Sequence, residues 1–214
     1  MPARQRPGGG RPRDASLDER ILAQTFALLA AKGLRGLRAD EVARGSGVPK
    51  STIYRRWPSL AELAVDAVDA ALGPRECVAG PDPLADLTEI IVKAHTAFVS
   101  SPLAPALPQL AIELASHPEA ATSYRQRVIA PLRSGAIAAV RRAQAIGQWP
   151  GPDPVTSVDM MLGTVAYRMN YLGHTADLEE TFEVAEAVAR RTLPRPARSE
   201  PDGEPGGAAT ARLP

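Results

Sequence analysis

The chain has 214 residues, enough for one or two domains and a substantial core. Its single cysteine, Cys77, excludes an intramolecular disulfide framework, and no apolar run approaches the ~20 residues a membrane span needs. The net charge of +1 conceals a division, because residues 1–57 carry twelve Lys or Arg against five Asp or Glu, a net of +7, which leaves −6 for residues 58–214. A basic head on an acidic body suits nucleic acid, although a solvated basic face alone would look the same.

The N-terminus, MPARQRPGGGRPR, is basic and rich in Pro and Gly, with no apolar stretch of the kind a secretory signal carries. Together with the lone cysteine this predicts a cytoplasmic protein with no membrane partner. Residues 1–15 read as a disordered arm whose Arg4, Arg6, Arg11 and Arg13 suit a minor groove or add nonspecific attraction.

Helical patterning follows nearly throughout, predicting an all-α fold. Ser16 and Glu19 have capping-box spacing, Leu17, Ile21, Leu22, Leu28 and Leu29 recur at helical intervals, and Gly33 suits a left-handed stop. Asp40–Ser46 reads as a short helix, with Gly47 at a turn that demands positive φ and Val48 as its apolar plug. Pro49 pre-sets φ for a two-turn helix over Lys50–Arg56, too short to stand alone and so braced by Ile53 and Trp57. Its outward face carries Lys50, Ser51, Thr52, Tyr54, Arg55 and Arg56. That set suits a helix laid in a major groove, with short or forked donors on base edges and flanking cations on phosphates.

Ser59 and Glu62 form a second capping-box pattern, opening a helix that ends near Gly73. Asp82-Pro83 and Asp153-Pro154 each place a capping acid before a proline at the first helical position. Further helices are predicted at about 84–100, 106–116, 119–147, 154–172 and 177–193, with Pro131 kinking or splitting the long fourth stretch. No alternating β-branched runs predict a sheet. Residues 194–214 are rich in Pro, Gly and Ala and read as a disordered tail.

The segment GLRADEVARGSGVPKSTIYRRWPSLAEL, residues 36–63, resembles the DNA-binding domain of the TetR/AcrR family of transcriptional regulators. Ala43, Gly47, Val48, Ile53, Tyr54, Arg56, Trp57, Ser59 and Leu63 meet the family's spacing, and the likeness covers about residues 16–72. It departs at Arg38, where the family usually has a capping Thr that touches phosphate, at Leu60, where Lys is common, and at Gly45 within the first short helix. Arg38 retains a cation for phosphate but is a poor cap.

The resemblance implies a helix-turn-helix DNA-binding domain at 16–58. It also implies a helical effector-binding and dimerisation bundle at 59–193, with 59–73 as the connecting helix. It further implies a sequence-specific regulator, a repressor released from a pseudo-palindromic operator on double-stranded DNA by an unknown small molecule, and acting as a homodimer. Candidate dimer residues are Val158, Leu162, Val165, Phe182 and Val188, on the last two helices. Candidate effector residues, mixing apolar walls with a few polar groups, are His95, Phe98, Leu110, Glu113, Tyr124, Met161, Tyr167 and Asn170. Each has an ordinary alternative as core or surface. No cofactor or metal is expected, and no nucleophile-elbow, HExxH, CxxC or P-loop pattern supports catalysis. A second reading is a helical homodimer that binds a ligand, or senses oxidation through Cys77, without effector control of DNA binding.

Overall fold

A computed structural model describes residues 15–196. These form ten α-helices, and no strand occurs among the described residues. The head consists of α1 (Ala15–Gly36), α2 (Ala39–Ser46) and α3 (Lys50–Arg56). The body comprises α4 (Leu60–Leu72), α5 (Pro83–Phe98), α6 (Leu107–Leu114), α7 (Pro118–Tyr124), α8 (Ala130–Ala145), α9 (Pro154–Leu172) and α10 (Leu178–Ala189). A π-helical turn, Arg125–Ile129, joins α7 to α8. Of the arm expected over residues 1–15, Ala15 already belongs to α1 and residues 1–14 lie outside the described residues.

Local chemistry accounts for most helix ends. Asp82 accepts a hydrogen bond from Leu84 N at 2.9 Å, and Asp153 accepts from Val155 N and Thr156 N at 3.1 Å, with Pro83 and Pro154 in the first turn. Asp177 and Glu180 complete a reciprocal capping box on α10. Ser59 Oγ accepts from Glu62 N at 3.1 Å, one half of the expected box. Ser16 falls inside the first turn of α1 rather than before it, because that helix already includes Ala15. Gly33, at φ 65°, bends the end of α1 as its backbone freedom allows.

Pro131 does not itself interrupt α8, since it sits in the helix's first turn. The irregularity falls just upstream, in the π-helical turn, where backbone partners are displaced ahead of a residue lacking an N–H. The helix expected to reach residue 193 ends at Ala189, where Arg190 adopts φ 54°. The chain then folds back. Thr88 donates to Pro194 O at 2.7 Å, Leu193 is buried, and Arg195 lies 4.4 Å over the Phe182 ring while pairing with Glu179 and Glu186. Residues 194–196 are therefore anchored, and the remainder of the expected tail, 197–214, lies outside the described residues.

Two apolar cores divide the molecule. One buries Ile21, Leu29, Val42, Val48, Ile53 and Trp57 of the head with Leu63, Val68, Leu110, Leu114 and Tyr124 of the body, so α4, α6 and α7 carry the head directly. The other gathers α5, α8, α9 and α10 around Leu87, Leu132, Val140, Val158 and Phe182. Burial of Ile53, worth roughly 2 kcal/mol, fixes the two-turn α3 on its neighbours.

Candidate functional site

The outward face of α3 is shaped by the turn before it. Gly47 is left-handed at φ 69°, ψ 24°, and both its own N–H and that of Val48 reach Ala43 O. Val48 is buried against the head, which turns α3 across α2 and leaves Lys50, Ser51, Tyr54 and Arg55 exposed. Thr52 is half-buried beside them. Arg55 makes no hydrogen bond or ion pair with any described residue. Lys50 Nζ sits 2.8 Å from Asp40 Oδ1, a hydrogen bond that raises the lysine's pKa.

Like Lys50, two more of the expected DNA contacts have partners inside the protein. Arg56 Nε lies 2.5 Å from Asp18 Oδ1 of α1, as an ion pair without hydrogen-bond alignment, and its side chain is mostly buried. Arg38 turns back instead of capping α2, donating to Arg35 O at 2.6 Å and Leu37 O at 3.0 Å. There it covers orphan carbonyls at the end of α1. Leu60 opens α4 half-buried and offers no donor.

Inside the body lies a cavity of about 510 Å³ walled by α5, α6, α7, the π turn, α8, α9 and α10. His95, Phe98, Tyr124, Met161 and Asn170 line it together, as do Leu162 and Val165. Leu110 is instead buried in the core beneath the head. Glu113 points away to the head: Oε2 accepts from Arg35 N at 3.0 Å and Oε1 pairs with Arg35 Nε at 3.2 Å. Tyr167 is exposed and stacks on Tyr171 with centroids 5.4 Å apart. Among the described residues no group of His, Cys, Asp or Glu is placed to hold a metal, and no helix is long and apolar enough to cross a membrane.

The cavity's polar equipment is sparse. Tyr124 Oη has no hydrogen-bond partner among the described residues, and burial pushes its pKa up to about 12. Thr181 donates its one hydroxyl proton to Asp177 O at 2.9 Å, so it must accept from His95 Nδ1, 3.1 Å away. That places the imidazole proton on Nδ1 and leaves Nε2 as a lone-pair acceptor. Burial also lowers the pKa of His95, favouring this neutral ring. Arg133 is committed to Asp159 through three hydrogen bonds, and the exposed Arg125 donates to Thr122 at 3.1 Å.

Val158, Phe182 and Val188, expected at a subunit interface, are buried within the protomer's own core. The unburied apolar stripe on α9 is Met160, Tyr167 and Tyr171, spaced i, i+7 and i+11 on one face. Leu162, Val165, Ala166 and Met169 take the opposite face and line the cavity. From Leu162 to Leu172 no residue of α9 is buried.

Sequence reasoning missed a charge relay between cavity and head. Asp66 of α4 accepts from Trp57 Nε1 at 2.7 Å and from Arg127 Nη1 at 2.5 Å, one partner on each carboxylate oxygen. Asp69, one turn along, pairs with Arg127 and with the buried Arg75. Arg127 belongs to the same π turn as the cavity-lining Arg125 and Ile129. Cys77 rests on Arg75 O and Gly135, and burial raises its thiol pKa, the reverse of what a reactive thiol needs.

Residues 21–67 match the family described as bacterial regulatory proteins, tetR family, and residues 81–190 match the tetracyclin repressor-like C-terminal domain. The HTH-type transcriptional regulator YdeS of Bacillus subtilis (strain 168) is 27% identical over 167 residues, spanning 77% of this chain and 83% of YdeS. The crystal structure of the TetR family transcription regulator SCO0332 superposes with a TM-score of 0.61 at 27% identity, covering 84% of this chain and all of that one. FadR from Bacillus subtilis, solved in complex with stearoyl-CoA, gives a TM-score of 0.62 over 80% of this chain and 97% of its own, and at 15% identity shows the fold alone. With both halves of the chain matched and the helix-turn-helix in place, the protein belongs to the TetR family of helix-turn-helix transcriptional regulators, a family that binds DNA and is not enzymatic.

Proposed function

We propose that this regulator is a homodimeric repressor released from its operator by a small molecule held in the body cavity. The observation that carries the reading is Asp66, whose two oxygens tie Trp57, at the end of the recognition helix, to Arg127, in the π turn that lends Arg125 and Ile129 to the cavity wall. Anything that reshapes the π turn moves Arg127, and α4 must follow or lose a charged hydrogen bond. A second tie, Arg35 to Glu113, joins α1 to α6, whose other face lines the cavity. An effector that favours one arrangement of these ties shifts the population away from the DNA-competent spacing.

On DNA, Tyr54 and Arg55 face base edges, with Ser51 and Thr52 beside them. Lys50 exchanges Asp40 for a phosphate. Arg38 stays near the backbone, and Arg56 acts as a brace for α3 rather than as a phosphate contact. Two copies joined through the Met160–Tyr167–Tyr171 face of α9 would set recognition helices about 34–36 Å apart, matching successive major grooves. A domain division near Ser59, with the head before it and the effector-binding, dimerising bundle from 59 to 193, fits this assignment. FadR's complex with stearoyl-CoA supports a helical body of this fold holding a lipid-like ligand. The raised thiol pKa of Cys77 gives a redox switch no support.

The test is selection of genomic fragments bound by the full-length protein, followed by footprinting. Two half-sites of one sequence about one helical turn apart, and a compound that abolishes the footprint, are expected. A single unpaired footprint, or a bound compound that leaves operator affinity unchanged, would overturn the reading.

A further inference from the structure

The chemistry of the effector can be read from what the cavity offers and withholds. Its walls are aliphatic, with Leu87, Ile91, Leu107, Leu132, Val158 and Met161 among them, and its 510 Å³ lies in the range that holds a drug-sized molecule. Two arginines line it, and neither offers a buried, unpaired charge. Arg133 is spent on Asp159, and Arg125 stands exposed, where water competes for its guanidinium. A charged group entering here would lose its hydration without a buried counter-ion.

Besides the exposed Asn170, two polar side chains of the lining keep an unsatisfied group, and those two groups are complementary. Tyr124 is 5% exposed and its hydroxyl has no partner among the described residues. His95 has its Nδ1 proton directed to Thr181, leaving Nε2 as an acceptor. The phenol needs an acceptor and the imidazole needs a donor. A hydroxyl group supplies both at neutral charge, whereas an ether or ketone can serve Tyr124 alone and an amine would carry charge.

We propose that the effector is a neutral, mainly aliphatic alcohol, accepting a hydrogen bond from Tyr124 Oη and donating one to His95 Nε2. The proposal rests on reading the cavity as the effector site and names the chemistry of that site. The aliphatic skeleton fills the space toward Leu162, Val165 and Met169 of α9, where the walls offer no further hydrogen-bonding side chain before Asn170.

The experiment uses the full-length protein at pH 8 and the neutral apolar dye N-phenyl-1-naphthylamine, whose fluorescence reports cavity occupation. Displacement is measured with 1-decanol, decyl methyl ether and decanoate. The alcohol is expected to bind about tenfold tighter than the ether or the acid, the weight of one well-placed hydrogen bond. Tyr124→Phe, which removes only the unpartnered hydroxyl, should weaken both alcohol and ether about fivefold. His95→Leu should weaken the alcohol and leave the ether unchanged, since the ether has no proton to donate.

Equal affinity for the three probes, or an alcohol affinity indifferent to both substitutions, overturns the proposal. So does a preference for decanoate that Arg125→Gln removes, which would assign the site to an acid and leave the cavity reading standing. If the dye itself does not bind, the cavity reading fails, and the alcohol proposal with it.

Discussion

Arg75 donates to the main-chain carbonyl of Arg127 at 2.8 Å, an oxygen four residues before Pro131 and therefore without a helical N–H from that position. The same guanidinium bonds Asp69 and the Gly73 carbonyl at 2.6 Å, and its side chain is 5% exposed. One buried arginine thus stabilises the end of α4, the start of the linker and the π turn together. Arg75→Met keeps the volume but takes the donor from Asp69 Oδ1, leaving that carboxylate to Arg127 alone, and from the carbonyls of Asp69, Gly73 and Arg127. It should cost on the order of 3 kcal/mol, read as a lower urea midpoint with unchanged m-value.

The shared carboxylate of Asp66 predicts coupling between head and cavity wall. Trp57→Phe removes one hydrogen bond to it and Arg127→Ala the other. If α4 transmits force between them, their effects on operator affinity will not add. A double-mutant cycle measured by fluorescence anisotropy should give an interaction energy of about 1 kcal/mol. An energy indistinguishable from zero would leave Asp66 as a purely local anchor.

Exposure separates the roles of neighbouring arginines on α3. Arg55→Ala should weaken operator binding by about 1–3 kcal/mol and leave the melting temperature unchanged, because Arg55 has no partner among the described residues. Arg56→Ala should do the reverse in emphasis: it strands Asp18 and lowers the melting temperature. Lys50→Ala should reduce the salt slope of binding by about one. Parallel melting curves and salt titrations on the three variants distinguish these outcomes.

Local chemistry was legible in the sequence; long-range pairing was not. Asp82-Pro83, Asp153-Pro154 and Gly47 are signals in which a few consecutive residues fix backbone geometry, and each sits at its expected helix end. The Trp57–Asp66–Arg127 relay spans 61 residues between its charged partners, and no spacing rule joins them. Arg56 fits the DNA-contact pattern as well as Arg55 does, until Asp18 of α1 is seen beside it. On α9 the difficulty is different. Both faces are apolar, so helical period alone cannot say which meets the protomer's own core, and Val158, an interface candidate by its spacing, is buried there. The effector candidates show the same limit, since Glu113 and Tyr167 share helices with cavity-lining residues but face elsewhere.

His95 gives the body a pH response. Burial lowers its folded-state pKa below the usual ~6.5, so the unfolded chain binds more protons through the window just beneath that value. Stability therefore rises with pH across this window and is lost as pH falls through about 6.5. His95→Asn removes the titration, so wild type should lose more stability than the variant between pH 7.5 and 5.5 in urea melts. Parallel curves would mean that the imidazole is not desolvated.

The exposed face of α9 predicts where two copies meet. Met160, Tyr167 and Tyr171 leave an exposed apolar stripe on a helix with no fully buried residue after Met161. Isolated exposed apolar residues need no explanation, but a stripe with stacked aromatics marks an interaction surface. Tyr167→Glu would place a carboxylate on this stripe and, across a two-fold axis, opposite or near its own copy. Sedimentation equilibrium should then show a shift from dimer toward monomer, with operator affinity falling in parallel because one two-turn reader binds too weakly alone. Val158→Ala, cutting into the protomer's core, should instead lower the melting temperature and leave the association state intact. If Tyr167→Glu remains dimeric while Val158→Ala dissociates, the interface lies on the other face of α9 and the stripe has another partner.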